Sequence, residues 1–160
     1  MIKQVQKEVS VSDGSSADYY KFPLNTTKLQ DLINFKQMNF NMSQLFRHVY
    51  IYNGQLDKVN SMMYNIDNEI SRLQTGNSNI VDFINPSQSN ENNEVYIIPP
   101  KAQEVQDLIS YRNMNGQMAE IFRAIFRYGE VGHSPKLRDA KKIKFYLDAE
   151  IKRLTTDWGI

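Results

Sequence analysis

The sequence from Tyr20 to Tyr52, YKFPLNTTKLQDLINFKQMNFNMSQLFRHVYIY, returns 76 residues later, from Tyr96 to Tyr128, as YIIPPKAQEVQDLISYRNMNGQMAEIFRAIFRY. The two stretches align without a gap and are identical at 12 of 33 positions. Unrelated sequences of this length would share about two. After a five-residue insertion in the second copy, around GEVGHSPK, the match resumes with a shift of 81 residues. The chain therefore contains a tandem duplication, and its fold has to accommodate two copies of one unit.

Each copy carries the pattern of three helices. Apolar residues recur at three- and four-residue steps, as on one face of an α-helix, and proline punctuates the start of both copies. In the third helix of the second copy, Ser134 is the expected N-cap and Pro135 the expected first helical residue. The predicted helices cover 26–38, 42–52 and 56–73 in the first copy, and 102–114, 117–128 and 135–154 in the second.

Two similar three-helix units each have an apolar face to bury, and the equivalent face of the other unit fits it. We therefore expect an all-α fold in which two tandem three-helix units pack as a pseudo-two-fold dimer. The sequence divides into an N-terminal arm (1–19), a first, degenerate helical repeat (20–74), an Asn-, Ser- and Pro-rich linker (75–95) and a second helical repeat (96–160). The segment KEVSVS in the arm is a candidate for a short strand.

Composition excludes several classes of protein. The 160 residues include 19 Lys and Arg against 18 Asp and Glu, so a net charge of +1 gives no general attraction to nucleic acid or membranes. There is no cysteine, which excludes a disulfide scaffold, a thiol nucleophile and a Cys-based zinc site. The N-terminal residues lack the apolar core of a signal peptide, and no apolar run approaches the roughly 18 residues that span a bilayer. We expect a cytoplasmic protein without a membrane partner.

Positive charge is concentrated in the second copy. Residues 117–144 contain seven Lys and Arg against three acids, and Arg123 and Arg127, four residues apart, share one helix face. Such a cluster suits a phosphate, because arginine binds its oxygens in a bidentate manner, and Asp139 among the cations could hold Mg²⁺. The alternative is that these charges form the solvated face of two amphipathic helices.

The connection GEVGHSPK precedes the third helix of the second copy. A glycine-containing turn at a helix N-terminus can bind phosphate through backbone N–H groups, although the chain has no Walker motif. His133 in this connection is a candidate base or ligand, with simple exposure as the alternative interpretation. The two histidines of the chain do not form a zinc signature.

The segments AEIFRAIFRYG and LRDAKKIKFYL carry a resemblance to a known family. They resemble the SaV-like family of small phage proteins, which includes a phage nucleotide kinase and has the motifs Asn-x-x-Lys-Tyr-x-x-Arg and Glu-Asp-Leu-x-Lys-Ala-x-x-Tyr-Leu. The matching positions here are Arg123, Arg127, Asp139, Lys142, Tyr146 and Leu147, while Glu120, Ala124 and Arg138 depart from the motif. The resemblance covers about residues 107–151. Copy one keeps Arg47 but has Ile51 at the position of Arg127.

The resemblance implies phosphoryl transfer from ATP, with Mg²⁺, to a deoxynucleoside monophosphate in the cytoplasm of the host cell. Arg123, Arg127 and Asp139 would be the catalytic residues, with Asp139 also the metal ligand. Lys141, Lys142, Tyr146 and Arg47 would bind substrate.

Three other functions stay open on the sequence. The protein could bind a nucleotide signal, or inhibit a host protein, without catalysis, as an internal pseudo-dimer or a homo-oligomer. It could bind nucleic acid through the basic stretch 136–144. The pair Glu104 and Asp107 is a fragment of the carboxylate pattern of all-α nucleotide pyrophosphatases, and this alternative ranks lowest.

Overall fold

The computed structural model describes residues 20–76, 94–130 and 135–160. Within these residues the chain forms six α-helices and no strand, which confirms the all-α prediction. The helices are α1 (Leu29–Lys36), α2 (Phe40–Tyr50), α3 (Leu56–Thr75), α4 (Val105–Tyr111), α5 (Gly116–Phe126) and α6 (Lys136–Thr155). We call 20–76 unit one and 94–160 unit two. The arm, most of the linker and the loop with His133 and Ser134 lie outside the described residues, so the predictions made for them are not addressed.

The first helix of each unit begins three residues later than the sequence predicts. In α1, the Asp31 carboxylate accepts hydrogen bonds from the backbone N–H groups of Thr27 and Lys28 at 2.9 and 3.1 Å. In α4, the Asp107 carboxylate accepts from Gln103 and Glu104 at 2.7 and 3.1 Å. These aspartates occupy the third helical position and cap the backbone before the helix, so the preceding residues stay extended.

Asparagine fixes the start of the second helix in each unit. The side chain of Asn39 accepts a hydrogen bond from the backbone N–H of Met42, and that of Asn115 accepts from Met118. A residue just after the first helix has a left-handed backbone: Gln37, the C-cap of α1, has φ 52°, and Asn113, which follows the C-cap of α4, has φ 54°. The chain turns sharply there, which brings the first and second helices together as a hairpin.

The long helices α3 and α6 start close to the predicted positions. Pro135 was expected at the first helical position and instead occupies the N-cap, with its carbonyl accepting the N–H of Asp139 at 3.1 Å. A proline N-cap is compatible with the extended backbone observed there, φ −59° and ψ 152°.

The core lies between the two units. Helices α3 and α6 pack against each other, α2 packs on α3, α5 packs on α6, and α2 contacts α5. At the last contact the rings of Phe46 and Phe122 stack with centroids 4.5 Å apart and an angle of 6° between their planes. Both side chains are fully buried, so the units share one apolar core.

Several contacts between the units occur in equivalent pairs. Phe46 and Phe122 are themselves equivalent positions of the repeat. Isolated bridges join Lys21 to Glu104 and Lys28 to Ile97, and each bridge is the counterpart of the other when the copies are exchanged. The pseudo-two-fold packing itself stays a prediction.

Candidate functional site

Arg123 and Arg47, two of the predicted site residues, brace helices within their own units. The guanidinium of Arg123 donates to the Gln106 side chain on α4 at 2.7 Å and lies 3.8 Å from Glu120. The buried Arg47 makes the equivalent hydrogen bond to Gln30 on α1. These arginines therefore hold the second helix of each unit against the first.

Arg127 and Asp139 lie at the end of α5 and the start of α6. Arg127 is half-buried, and its Nε is buried without a hydrogen-bond partner among the described residues. Asp139 is buried, and its carboxylate accepts the backbone N–H of Gly129 at 3.0 Å. Asp139 thus fixes the turn that follows α5 through one hydrogen bond.

The remaining predicted residues lie further along α6. Lys141 is exposed, and Lys142 and Tyr146 are half-buried. The Tyr146 ring meets Phe145 edge-on, with centroids 5.3 Å apart. The structure gives these three residues no hydrogen bond or ion pair to Arg123, Arg127 or Asp139 among its described parts.

A carboxylate cluster that the sequence analysis missed lies between the two units. Glu69 of α3 is fully buried. Its oxygens accept hydrogen bonds from Asn39 at 3.1 Å, Asn41 at 3.3 Å and Arg72 at 2.8 and 3.1 Å. The Tyr128 hydroxyl, from unit two, completes the cluster at 2.6 Å.

Glu150 of α6 is the counterpart of Glu69 and is also fully buried. It accepts from Asn115 at 3.2 Å, Gln117 at 3.4 Å and Arg153 at 2.7 and 2.9 Å. The Tyr52 hydroxyl, from unit one, donates at 2.7 Å. Each unit therefore inserts one tyrosine into the carboxylate cluster of the other.

Hydrogen bonding keeps both glutamates charged. Burial raises the pKa of Glu69, but hydrogen bonds from Arg72, Tyr128 and Asn41 outweigh it and leave the pKa below its ordinary value. The pKa of Glu150 is lowered in the same way, with Arg153 and Tyr52 as donors against the effect of burial. Burial and the hydrogen bond to glutamate raise the pKa of both tyrosines, so their hydroxyls stay protonated and donate.

A cleft with a volume of about 270 Å³ lies beside the Glu69 cluster. We call it the cationic cleft. It is lined by Lys36, Gln37, Met38, Asn39, Met42 and Arg72 of unit one and by Ile125, Phe126, Tyr128, Glu130 and Lys136 of unit two. None of the predicted site residues lines it.

Three cationic side chains meet in the cationic cleft. Lys36 Nζ lies 2.8 Å from the Glu130 carboxylate of unit two and 4.4 Å from the centroid of the Phe126 ring. Lys136 Nζ lies 5.8 Å from the centroid of the Tyr128 ring. Arg72 reaches the cleft while it binds Glu69. Glu130 is the single carboxylate in the lining, and the buried Glu69 beside the cleft pairs with Arg72, so three cations stand against two carboxylates and a net charge of +1 remains.

A second cleft, with a volume of about 400 Å³, occupies the equivalent position in the repeat. We call it the amide cleft. Its lining is Val49, Tyr52, Asn53, Gly54, Arg112, Asn113, Met114, Asn115 and Met118. Here Gly54 stands at the position of Glu130, and Gln55 is the counterpart of Lys136 but does not line the cleft. The two clefts share a scaffold and differ in charge.

The signal for the carboxylate clusters was present in the repeat. Asn39, Tyr52, Glu69 and Arg72 recur unchanged in the second copy as Asn115, Tyr128, Glu150 and Arg153. Polar residues that are identical in both copies mark the shared scaffold. The cations of the cleft could not be found this way, because Lys36 and Lys136 are far apart in sequence and only the packing of the units brings them together.

The described residues contain no group of three or more His, Asp or Glu side chains arranged to hold a metal ion. Asp139 accepts a hydrogen bond from Gly129 and belongs to no such group, so the described residues alone do not form a resident Mg²⁺ site, although a single carboxylate could bind a Mg²⁺ that arrives with the phosphates of ATP. In the same described ranges, no helix combines the length and apolar character needed to cross a membrane.

Comparison with known proteins gave no relative: no protein-family model, no curated protein and no solved structure matches this chain.

Proposed function

We propose that this protein binds a small phosphorylated molecule of the nucleotide class in the cationic cleft. The observation that carries the proposal is the convergence of Lys36, Arg72 and Lys136 on one cleft between the two units. Its volume of about 270 Å³ lies near the lower end of small-molecule sites, which run from about 300 to 1,000 Å³. A cleft of this size suits a mononucleotide better than a polymer.

Phosphate is the anion that these cations suit best. An arginine presents several N–H donors in a plane and a lysine presents a compact ammonium, and both match phosphate oxygens. Lys36 pairs with Glu130, whose side chain is 40% exposed. The Lys36 side chain is only 9% exposed, so the carboxylate is the half of this pair that is open to solvent, and a phosphate with more negative charge can take its place.

The neighbouring carboxylate cluster holds the cleft in shape. Glu69 fixes Arg72 through two hydrogen bonds and fixes Tyr128 through a third. Arg72 is therefore oriented before a ligand arrives, which lowers the entropic cost of binding. The stem of Lys136 crosses Gly129, where an added Cβ would lie 3.0 Å from its carbons. Gly129, with φ 74°, leaves room for this lysine over the cleft.

Isothermal titration calorimetry with inorganic phosphate, ATP and the four deoxynucleoside monophosphates tests the proposal. We expect Lys136→Ala and Lys36→Met to weaken phosphate binding about tenfold or more each, because each removes one charge-assisted contact. Methionine at position 36 keeps the packing of the lysine stem on Phe126. Lys141→Ala, an exposed lysine of α6 outside the cleft, is the matched control.

Two results would overturn the proposal. One is the absence of binding by any phosphorylated ligand. The other is binding that Lys141→Ala weakens and Lys136→Ala does not, because the site would then lie on the helix face predicted from the sequence. Binding to short DNA with a steep salt dependence would favour the nucleic-acid alternative instead.

Phosphoryl transfer to a deoxynucleoside monophosphate is a second proposal, and it rests on the resemblance to the phage kinase family. The observation that favours it is the position of Asp139, one turn after Lys136 and bonded to the turn beside the cleft. With ATP and Mg²⁺ present, a diphosphate product that disappears in Arg127→Ala would support a kinase. Binding without product would leave a nucleotide-binding protein that does not catalyse.

We also propose that the two units pack around a pseudo-two-fold axis, as in a fused homodimer. The stacking of the equivalent Phe46 and Phe122, and the reciprocal bonds of Tyr52 to Glu150 and Tyr128 to Glu69, support this arrangement. An experimental structure in which superposing one unit on the other needs a rotation far from 180° would refute it.

A further inference from the structure

We infer that the amide cleft is a second binding site, and that it takes an uncharged nucleobase-like heterocycle. The cleft encloses about 400 Å³ between the units, within the range of about 300 to 1,000 Å³ seen for small-molecule sites. This inference does not depend on phosphate binding in the cationic cleft, because the two clefts share no lining residue.

The lining of the amide cleft lacks the charges of its counterpart. Gly54 replaces Glu130, has φ 92°, and has open space where a Cβ would lie. The one cation in the lining, Arg112, donates its Nε to the Tyr50 carbonyl at 2.8 Å and lies 5.2 Å from the centroid of the Tyr50 ring. Arg112 of unit two is thereby held against unit one, and with one cation in its lining where the cationic cleft has three, the amide cleft favours a neutral ligand.

Two asparagine side chains face this cleft from opposite units. Asn53 follows α2, and Asn113 follows α4. Both are exposed, and among the described residues neither carboxamide makes a hydrogen bond, whereas that of Asn115 is bonded to Met118 and Glu150. A carboxamide offers a donor and an acceptor side by side, which matches the edge of a nucleobase.

The floor of the amide cleft is apolar. Val49 and Met118 are buried and line it together with the half-buried Met114. Methionine sulfur is polarisable and packs well on the face of an aromatic ring. An apolar floor with two carboxamides at the rim is the combination that a flat heterocycle with polar edges requires.

Titration of ¹⁵N-labelled full-length protein with adenosine, guanosine, cytidine and thymidine, followed by NMR, tests this inference. We expect saturable shifts of the amide signals of Tyr52, Asn113 and Met114. Replacing both asparagines, Asn53→Ala with Asn113→Gly, should weaken the interaction about tenfold or more. Glycine is chosen because position 113 has φ 54°.

Gln37→Gly is the matched control, because Gln37 is the counterpart of Asn113, has φ 52° and lines the cationic cleft. It should leave nucleoside binding unchanged. No saturable shift up to about 5 mM nucleoside, or shifts centred on Lys36 and Gln37, would overturn the inference. If a short single-stranded DNA shifts the same amide signals at lower concentration, the bound base belongs to a nucleic acid rather than to a free nucleoside.

Discussion

The two buried glutamates, Glu69 and Glu150, need hydrogen-bond donors around them more than any other residues that the structure describes. A carboxylate without exposure to solvent is tolerated only when hydrogen bonds replace its hydration. Glu69 obtains five such bonds from its own unit and a sixth from Tyr128 of the other. The buried charge of unit one is therefore fully hydrogen-bonded only when unit two is folded against it.

We expect Tyr128→Phe to lower the free energy of unfolding by about 1.5–3 kcal/mol, the usual effect of losing a hydrogen bond to a charged group. Tyr52→Phe should lower the free energy of unfolding by less than Tyr128→Phe does. The arginine beside Glu150 has a side chain that is 48% exposed, against 12% for the arginine beside Glu69, so water can more easily replace the lost bond. Urea denaturation followed by circular dichroism measures the free energy of unfolding of both variants. Equal losses, or none, would show that the exposure of the arginine is not the deciding factor.

His48 makes stability depend on pH. Burial lowers the pKa of His48 below its ordinary 6.5, and the charges of Lys58 and Arg47 lower it further. The unfolded chain therefore binds a proton at a higher pH than the folded chain does, and stability falls as pH decreases below 6.5.

The free energy of unfolding should decline between pH 7 and pH 5 in the wild type and decline less in His48→Gln. The lowered pKa values of Glu69 and Glu150 affect stability in a separate, more acidic pH range. The charged glutamates stabilise the fold above the ordinary glutamate pKa, and this stabilisation is lost only as the pH falls below it. Urea denaturation at several pH values separates the two. Identical slopes for wild type and His48→Gln between pH 7 and pH 5 would argue against a role for His48.

At the scale of helices, the turn between the first and second helix has the same geometry in both units and different residues. Gln37 and Asn113 both have a left-handed backbone. Asparagine tolerates this conformation, whereas in glutamine the close approach of the Cβ to the following carbonyl oxygen costs about 1–2 kcal/mol. The hairpin of unit one therefore carries strain that the hairpin of unit two largely avoids.

We expect Gln37→Gly to stabilise the protein by about 0.5–1 kcal/mol, because relief of the strain exceeds the flexibility that glycine adds to the unfolded chain. Asn113→Gly should change stability by less than half as much. Thermal denaturation of the two variants side by side is a direct comparison. A destabilised Gln37→Gly would mean that contacts of the glutamine side chain outweigh the backbone strain.

At the scale of the whole molecule, the stacked rings of Phe46 and Phe122 join the two units, so we expect them to unfold as one cooperative unit. We expect Phe122→Ala to cost about 3–5 kcal/mol, the usual effect of removing a buried aromatic ring. Because the ring packs on unit one, both units should lose stability together. NMR signals of Leu32 in unit one and Leu108 in unit two, followed through urea denaturation, should disappear at the same urea concentration. Different midpoints would mean that the units unfold independently.

The sequence alone determined the duplication, the all-α class and the existence of three helices in each unit. These features depend on local periodicity and on identity between the copies, both of which are visible along the chain. Helix starts were less accurate, because Asp31 and Asp107 cap backbone that the apolar pattern assigns to the helix.

Only the tertiary structure brought the candidate sites together. The sequence analysis grouped Arg123, Arg127 and Asp139 because they are close along the chain; in the structure Arg123 bonds to Gln106, the Nε of Arg127 is buried, and Asp139 bonds to Gly129. Lys36 and Lys136 are 100 residues apart in sequence and line the same cleft, because α1 of unit one ends beside the end of α5 and the start of α6 in unit two. Contacts between the units depend on how two apolar faces fit, and that fit is a property of the packed molecule rather than of any local pattern.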